Sequence, residues 1–229
     1  ASVSITINWN NIMFGSSNDD QVTDMEETSD GGIVLTGFYD KSGNNSGDMY
    51  FIKTDTDGNV EWDINFQGGQ NSEYGNTVVE TLDGGFLFGG TTNHAGSGKI
   101  TLVKTNSGGS VEWNKDYVFI DACTLIALSD GTFVLSINTG GADELMKVDS
   151  SGNIIWSQDY GDDMVMQSDG NGLVATSDGG FILYGREKGG NNRLLLLKTD
   201  SSGNEIWRNY FAPEVHEFSP GGALVQSSN

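Results

Sequence analysis

Short stretches of alternating apolar and polar residues recur along the chain. In residues 60–66, the apolar side chains of Val60, Trp62, Ile64 and Phe66 alternate with polar ones. Alternation with a period of two predicts a β-strand that is buried on one face. Other stretches, such as residues 86–88, are apolar at consecutive positions, which predicts strands covered on both faces. The pattern therefore predicts an all-β protein.

The same landmarks return in a constant order. Tryptophans stand at positions 9, 62, 113, 156 and 207, so the successive steps are 53, 51, 43 and 51 residues. An Asp-Gly turn followed by an apolar run occurs at residues 29–35, 82–88, 129–135 and 177–183. A lysine motif then precedes each of the last four tryptophans, at Lys53, Lys104, Lys147 and Lys198. Such an internal repeat indicates one structural unit that stacks on copies of itself.

Each unit contains four predicted strands joined by glycine turns. The Asp-Gly-Gly sequences predict tight hairpins, because glycine supplies the positive φ that such turns need. One strand per unit is covered on both faces and another on one face, which favours four-stranded blades packed around a common axis. We predict a single small β-propeller domain over residues 1–229, with complete blades at about 20–66, 74–117, 121–160 and 170–211. The third unit is shorter, at residues 139–142, where we expect a trimmed hairpin.

The order of motifs carries a family resemblance. Asp-Gly-Gly, an apolar run, Leu-x-Lys-x-Asp-x-x-Gly-Asn and then Trp together resemble the extracellular propeller repeats of archaeal and bacterial surface proteins. The layout is also similar to the quinoprotein-like propeller blade. The resemblance covers nearly the whole chain and implies a fold far more than a function. No quinone-binding residues carry over.

The ends of the sequence predict one further strand each, at residues 3–12 and 222–229. The first alternates and carries a repeat tryptophan, as the last strand of a unit does, and the second matches the first strand of a unit. Three outcomes are open: the two strands form a partial fifth blade, they pack elsewhere on a four-bladed ring, or they pair with another copy or another chain. An unpaired edge strand is a template for strand addition. The candidate assembly residues are Val3, Ile5, Ile7, Trp9, Ala223, Leu224 and Val225.

The charge balance narrows the possible partners. With 32 acidic and 11 basic residues, the 229-residue chain carries a formal charge of −21, which disfavours nucleic acids and anionic membranes. No apolar run is long enough to predict a segment that inserts into a membrane. The residues Ala1, Ser2 and Val3 resemble a mature N-terminus after signal cleavage, so we expect an extracellular or cell-surface location. Asn44 begins a formal glycosylation sequon that chance also explains.

Two acidic groups are candidate calcium ligands, and calcium is the one cofactor we consider. Residues 55–61 resemble part of a calcium loop, although the aligned turns lose the second carboxylate and a plain turn explains them as well. Acidic residues in the loops between units form a second group of candidate ligands. The alternative is that they are ordinary loop charges exposed to solvent. The candidate metal ligands are Asp55, Asp57, Asn59, Asp19, Asp20, Asp162 and Asp163.

The remaining polar residues have structural interpretations. We expect the repeated lysines to form ion pairs between blades and the tryptophans to lie in the core. Cys123 is the single cysteine, so it forms no internal disulfide and is expected to be a small buried residue. No nucleotide loop, zinc spacing or Ser-His-Asp motif is present. We therefore predict that the protein is not an enzyme.

Three functions remain as hypotheses. The first is a secreted structural or adhesion module, a homo-oligomer or filament subunit joined through its terminal strands. The second is a lectin-like propeller with sugar sites between blades, for which Tyr39, Tyr74, Tyr117 and Tyr160 do not share one position in the repeat. The third is a hydrolase with an acidic face, which would need carboxylates at a fixed separation.

Overall fold

The computed structural model describes residues 20–40, 47–66, 73–94, 97–117, 123–138, 143–161, 164–166, 172–187 and 193–211. These residues form four antiparallel sheets and contain no helix. No described segment is therefore a helix long and apolar enough to cross a membrane. The predicted terminal strands, with all seven candidate assembly residues and Asn44, lie outside the described residues.

Each sheet is one blade, and its strands pair in chain order. The first blade comprises β1 (Gln21–Glu27), β2 (Ile33–Tyr39), β3 (Asp48–Thr54) and β4 (Val60–Phe66). The second comprises β5 (Glu73–Glu80), β6 (Phe86–His94), β7 (Ser97–Thr105) and β8 (Val111–Tyr117). The third comprises β9 (Cys123–Ala127), β10 (Phe133–Asn138), β11 (Asp143–Val148) and β12 (Ile154–Asp159). The third blade is complete, and β10 and β11 stay paired as far as Asn138 and Asp143.

The fourth blade departs from the predicted outline at its first strand. Its members are β13 (Met164–Met166), β14 (Leu173–Ala175), β15 (Phe181–Glu187), β16 (Leu194–Thr199) and β17 (Glu205–Phe211). Both β13 and β14 pair with β15, each along a different half of it. The first strand position is thus shared by two short segments, and the blade begins at residue 164 rather than at about 170.

Two series of glycine turns join the strands. The Asp-Gly turns place Gly31, Gly84, Gly131 and Gly179 at φ values from 76° to 83°. The turns between the third and fourth strands place Gly58, Gly109, Gly152 and Gly203 at 72° to 82°. This left-handed region is unfavourable for residues with a Cβ atom, which explains why glycine recurs at these eight positions.

Apolar side chains fill the space between consecutive blades. We call the side of a blade that meets the following blade its rear face, and the side that meets the preceding blade its front face. Phe51 on the rear face of the first blade stacks on Phe88 on the front face of the second, with 3.9 Å between ring centroids. Separate clusters seal the junctions of blades one and two, two and three, and three and four. The predicted all-β propeller of stacked four-stranded blades is confirmed.

Polar contacts near the first strands join the first two blades as well. The carboxylates of Asp24 and Glu26 on β1 accept the N–H groups of Val78 and Glu80 on β5, at 2.9 and 2.8 Å. These two N–H groups lie on the edge of β5 that faces away from β6. Burial raises the pKa of both carboxyl groups. The free edge of β5 is thereby satisfied by side chains, which limits its pairing with foreign strands.

The repeated lysines bind within their own blade, which corrects the prediction of ion pairs between blades. The ammonium of Lys53, whose side chain is 2% exposed, lies 2.9 Å from Asp30, 3.0 Å from Glu61 and 2.7 Å from the carbonyl of Thr54. Equivalent ion pairs join Lys104 with Asp83 and Glu112, Lys147 with Asp130, and Lys198 with Asp178. Each lysine ties the Asp-Gly turn to the third strand of the same sheet.

We expect the stability of the protein to fall between about pH 4 and pH 2, because of these aspartates. The Thr28 hydroxyl, the Gly32 N–H and the Lys53 ammonium lower the pKa of Asp30 to about 2. A carboxyl group whose pKa is lower in the folded state stabilises the fold above its unfolded pKa and stops doing so as the pH falls through its folded pKa. Urea denaturation at several pH values should show a falling midpoint, with a smaller fall in Asp30→Asn. An equal fall in the variant would contradict this role.

Candidate functional site

A tryptophan from each of the first three blades sits on a glycine turn of the following blade. Trp62 lies against Gly109, where an added Cβ would stand 2.8 Å from Cδ2 of the indole. Its Nε1 donates to the carbonyl of Ser107 at 2.9 Å. The same close approach joins two further pairs, Trp113 with Gly152 and Trp156 with Gly203. Glycine is required here twice over, for its positive φ and for the space that the indole fills.

A second aromatic side chain secures two of these turns. The hydroxyl of Tyr117 donates to the carbonyl of Gly152, and that of Tyr160 donates to the carbonyl of Gly203, both at 2.6 Å. Burial raises the pKa of Tyr117 to about 12 and that of Tyr160 further. The two tyrosines stand four residues after their tryptophans, so these two do share a position in the repeat. They serve packing between blades and are closed to a ligand.

The fourth blade presents the same aromatic positions to solvent. Trp207 is 37% exposed and Phe211, four residues later, is 47% exposed. Ile182, Leu194 and Leu196 on the same side of the sheet are half-buried. Their counterparts in the first blade are Val34, Met49 and Phe51, which are fully buried. We call the surface formed by Trp207, Phe211, Ile182, Leu194 and Leu196 the open rear face.

Neighbouring exposed residues show that the open rear face is a property of one side of the sheet. Ile206, next to Trp207, is also exposed, but it points to the other side. Its counterpart Ile155 in the third blade is exposed too, although that blade is covered on its rear face. The difference between the fourth blade and the others is therefore confined to the face that the next blade would cover.

The described strands do not close the ring between the fourth and first blades. Extensive packing joins each blade to the next from the first to the fourth. Among the described residues, the strands of the fourth blade make at most marginal contact with those of the first. Among the residues that the structure describes, the open rear face therefore lies at one end of the stack of four blades.

The described residues among the predicted calcium ligands make hydrogen bonds to the backbone, within a turn at residues 55–59 and between Asp20 and Asp40 at the end of the β1–β2 pair. The carboxylate of Asp55 accepts the N–H groups of Asp57 and Asn59 at 2.9 and 2.8 Å and the Asn59 side-chain amide at 2.9 Å. Asp20 accepts the N–H of Asp40 at 2.9 Å. Asn106, Asp149 and Asp200 hold the three equivalent turns in the same way.

The calcium prediction stays untested by this geometry. Asp19, Asp162 and Asp163 lie outside the described residues. Within the described ranges, no group of three or more His, Cys, Asp or Glu side chains stands close enough to hold a metal ion. The strand position of Cys123 is described, but its side chain is not.

The tyrosines behind the lectin hypothesis separate into two kinds. Tyr117 and Tyr160 are buried between blades, as described above. Tyr74 is exposed and stacks on Phe38 with 4.5 Å between centroids, and Tyr39 stacks on Tyr50 at 4.9 Å. The exposed aromatic surface at Tyr74 lies at the junction of the first two blades. The other tyrosines considered for the lectin hypothesis do not form an equivalent surface at the other junctions.

Sequence reasoning missed the open rear face because it placed all the tryptophans in the core. Trp62, Trp113 and Trp156 are partly buried and pack against the core clusters, whereas Trp207 is exposed. The local sequence around Trp207 does not distinguish it from the others.

Comparison with known proteins supports the fold. No protein-family model and no curated protein matches the sequence. Among solved structures, the chain is similar to the Dos1 propeller, with 14% identity and a TM-score of 0.54 over 86% of this chain and 49% of that one. A Dyadobacter fermentans DSM 18053 protein of unknown function gives 10% identity and 0.54 over 87% and 71%.

A further similar structure is a europium-containing methanol dehydrogenase, with 13% identity and a TM-score of 0.53 over 80% of this chain and 40% of that one. The chain thus spans half or less of the length of the dehydrogenase and of the Dos1 propeller. At such identities, similarity carries the fold and no function. The sequence repeat, the four stacked sheets and these neighbours agree that the chain has a β-propeller fold.

Proposed function

We propose that the chain is a secreted structural or adhesion module that acts by joining a further β-sheet to the open rear face, and that it is not an enzyme. The single observation that carries this proposal is the exposure of Trp207 and Phe211 at positions that the other blades cover. Aromatic residues in an apolar surface are the side chains that most often dominate binding between proteins. An exposed apolar sheet face of this kind marks an interaction surface.

The chemistry of the partner follows from the three covered tryptophans. Each lies on a tight turn in which an Asp or Asn side chain caps the backbone and a left-handed glycine leaves room for the indole. The partner is therefore a β-blade that offers such a turn to Trp207. The polar residues repeated in this chain support a structural role, since the lysines and turn aspartates bind one another within each blade.

A filament is the propagating form of this assembly. When the partner is a second copy of the chain, contact between the open rear face and a different face of that copy is heterologous, and it propagates into a filament when the rotation between copies does not close a ring. An acidic surface suits an extracellular setting, because like charges keep the subunits soluble until the specific faces meet. The partner surface must then supply enough apolar contact to outweigh repulsion between chains of −21 formal charge.

Introduction of a negative charge on the open rear face is expected to reduce association at least tenfold. Sedimentation velocity over a range of concentrations, in the presence of calcium chloride, measures the association constant of the wild type, Trp207→Glu and Phe211→Glu. The wild type should associate more strongly at higher salt, because salt screens the repulsion between acidic chains. Ile155→Glu is the matched control, since Ile155 is similarly exposed on the third blade, and it should leave association unchanged.

A wild-type chain that stays monomeric at all concentrations and salt levels would exclude self-assembly. Equal weakening by Ile155→Glu and Trp207→Glu would show that association is not specific to the open rear face. Electron microscopy of the associated material then separates a filament from a closed oligomer, because the two differ directly in shape.

A further inference from the structure

The first strand of the first blade exposes apolar side chains at positions that the other blades bury. Val22 is 52% exposed and Met25 is 61% exposed. Met25 pairs with Leu35 across the sheet and Val22 pairs with Gly37, so the two side chains lie on one face. Leu35 itself is buried, which confines the exposed apolar surface to β1. The residues at the position of Met25 in the other blades, five before the Asp of each Asp-Gly turn, are at most 3% exposed: Val78, Leu125 and Leu173.

Each of those three residues is covered by the rear face of the preceding blade. Val78 packs in one cluster with Val34 and Phe51 of the first blade. The second and third blades cover the next two residues in the same way. Met25 therefore lies on the front face of the first blade, and it is the one member of the series whose side chain is exposed to solvent.

The residues that would cover Met25 by the same rule lie at the other end of the stack. The counterparts of Val34 and Phe51 in the fourth blade are Ile182 and Leu196, which belong to the open rear face and are half-buried. Among the described residues, the strands of the fourth and first blades make at most marginal contact, so these two surfaces do not meet within one chain. One chain thus carries both halves of a junction between blades, at opposite ends.

The first blade also has the kind of turn that receives a tryptophan in the other junctions. Gly58 has a φ of 82°, close to the 81° of Gly109, on which Trp62 lies. The Gly58 N–H donates to the carbonyl of Asp55 at 3.1 Å, as the Gly109 N–H does to Asn106. The first blade therefore meets the requirement set above for a blade that partners Trp207.

We propose that a second copy of the chain docks its open rear face on the exposed side of β1, with Ile182 and Leu196 of that copy against Met25. The inference rests on the proposed function and adds the surface that receives the open rear face. Asp24 and Glu26 on the opposite side of β1 are bonded to the second blade, so only the front side of the strand takes part. The two docking surfaces differ, which makes the contact heterologous.

Met25→Glu is expected to weaken self-association at least about tenfold, because it places an unpaired charge in an apolar contact. Sedimentation velocity under the conditions used for Trp207→Glu measures the association constant. Val60→Glu is the matched control, since Val60 is 43% exposed on the same blade but its counterparts Val111 and Ile154 are exposed as well. The control should leave association unchanged, and equal weakening by Val60→Glu and Met25→Glu would overturn the inference.

A mixture of two variants tests whether the two surfaces are complementary. Met25→Glu keeps the open rear face, and Trp207→Glu keeps the exposed side of β1. An equimolar mixture should therefore form dimers with one chain of each kind and nothing longer, at a concentration where each variant alone sediments as a monomer. A mixture that stays monomeric would overturn the inference, because the two intact surfaces would then not bind each other.

The inference and the proposed function fail separately. Association of Met25→Glu at the wild-type level, together with weakened association of Trp207→Glu, would overturn the inference and leave the proposed function standing. The open rear face would then bind a different surface. Val22→Glu is the second variant on the same strand if circular dichroism shows that Met25→Glu does not fold, and it should weaken association in the same way.

Discussion

Alanine at Gly203 is expected to lower the free energy of unfolding by about 3 kcal/mol. The residue has a φ of 79°, which costs any residue with a Cβ about 1 kcal/mol or more. The added Cβ would also stand 2.8 Å from Cζ3 of Trp156 and 2.9 Å from Cγ of Gln158. The indole must then move away from the turn, and the third and fourth blades lose contact. Urea denaturation followed by circular dichroism measures the loss.

Gly84→Ala separates the two contributions. Its φ of 76° is nearly the same, but no heavy atom outside its neighbours lies within 4 Å of the added Cβ. This variant should lose only the backbone contribution, about 1 kcal/mol. Equal losses in Gly84→Ala and Gly203→Ala would show that the indole does not rest on the turn.

Phe88→Ala is expected to lower the free energy of unfolding by about 4 kcal/mol. Phe88 is fully buried between the first and second blades, where it stacks on Phe51 and lies 6.4 Å from the ring of Phe86. Removal of the ring leaves a cavity between two sheets. Because hydrogen bonds within each sheet fix its backbone, the sheets can move together only in part to fill this cavity. The same denaturation experiment gives the magnitude.

Leu82→Ala provides the control on the same blade. Leu82 is largely exposed in the Asp-Gly turn before β6, so its removal should change the free energy of unfolding by less than about 0.5 kcal/mol. A loss for Phe88→Ala no larger than that of Leu82→Ala would be incompatible with a sealed junction between the blades.

The sequence was sufficient for the repeat, the strand types and the glycine turns, because each depends on local patterns. Asp-Gly dipeptides at a fixed phase require turns with positive φ, and Gly84 and Gly131 have them. The division of the fourth blade's first strand into β13 and β14 was not predictable from the pattern. The pairing of both segments with β15 depends on backbone hydrogen bonds that a short apolar stretch does not specify.

The lysine partners illustrate a second limit. Asp30 precedes Lys53 by 23 residues and Glu61 follows it by 8, and acidic residues of the next blade were equally available in the sequence. The choice depends on the Asp-Gly turn folding back over the third strand of the same sheet, which brings the Asp30 carboxylate to 2.9 Å from the ammonium. Such a distance follows from tertiary geometry and not from motif order.

The candidate site was the part least accessible to sequence reasoning. Trp207 and Trp156 occupy the same position in successive repeat units, and each is the third residue of the last strand of its blade. Whether an indole is covered depends on the turn that the next blade brings to it, which for Trp156 lies at Gly203, 47 residues further along the chain. Two residues with the same local sequence pattern, such as Trp156 and Trp207, can therefore differ in whether they are exposed to solvent.

The most direct test of the account is the coupling between Phe51 and Phe88, which belong to different blades. A double-mutant cycle of Phe51→Leu and Phe88→Leu should give a coupling free energy of about 1 kcal/mol, because the rings stack face to face at 3.9 Å. Phe51 and Phe181, on the first and fourth blades, should be additive within about 0.5 kcal/mol. Additivity of Phe51 and Phe88 as well would contradict the packing of neighbouring blades on which the fold and both proposals depend.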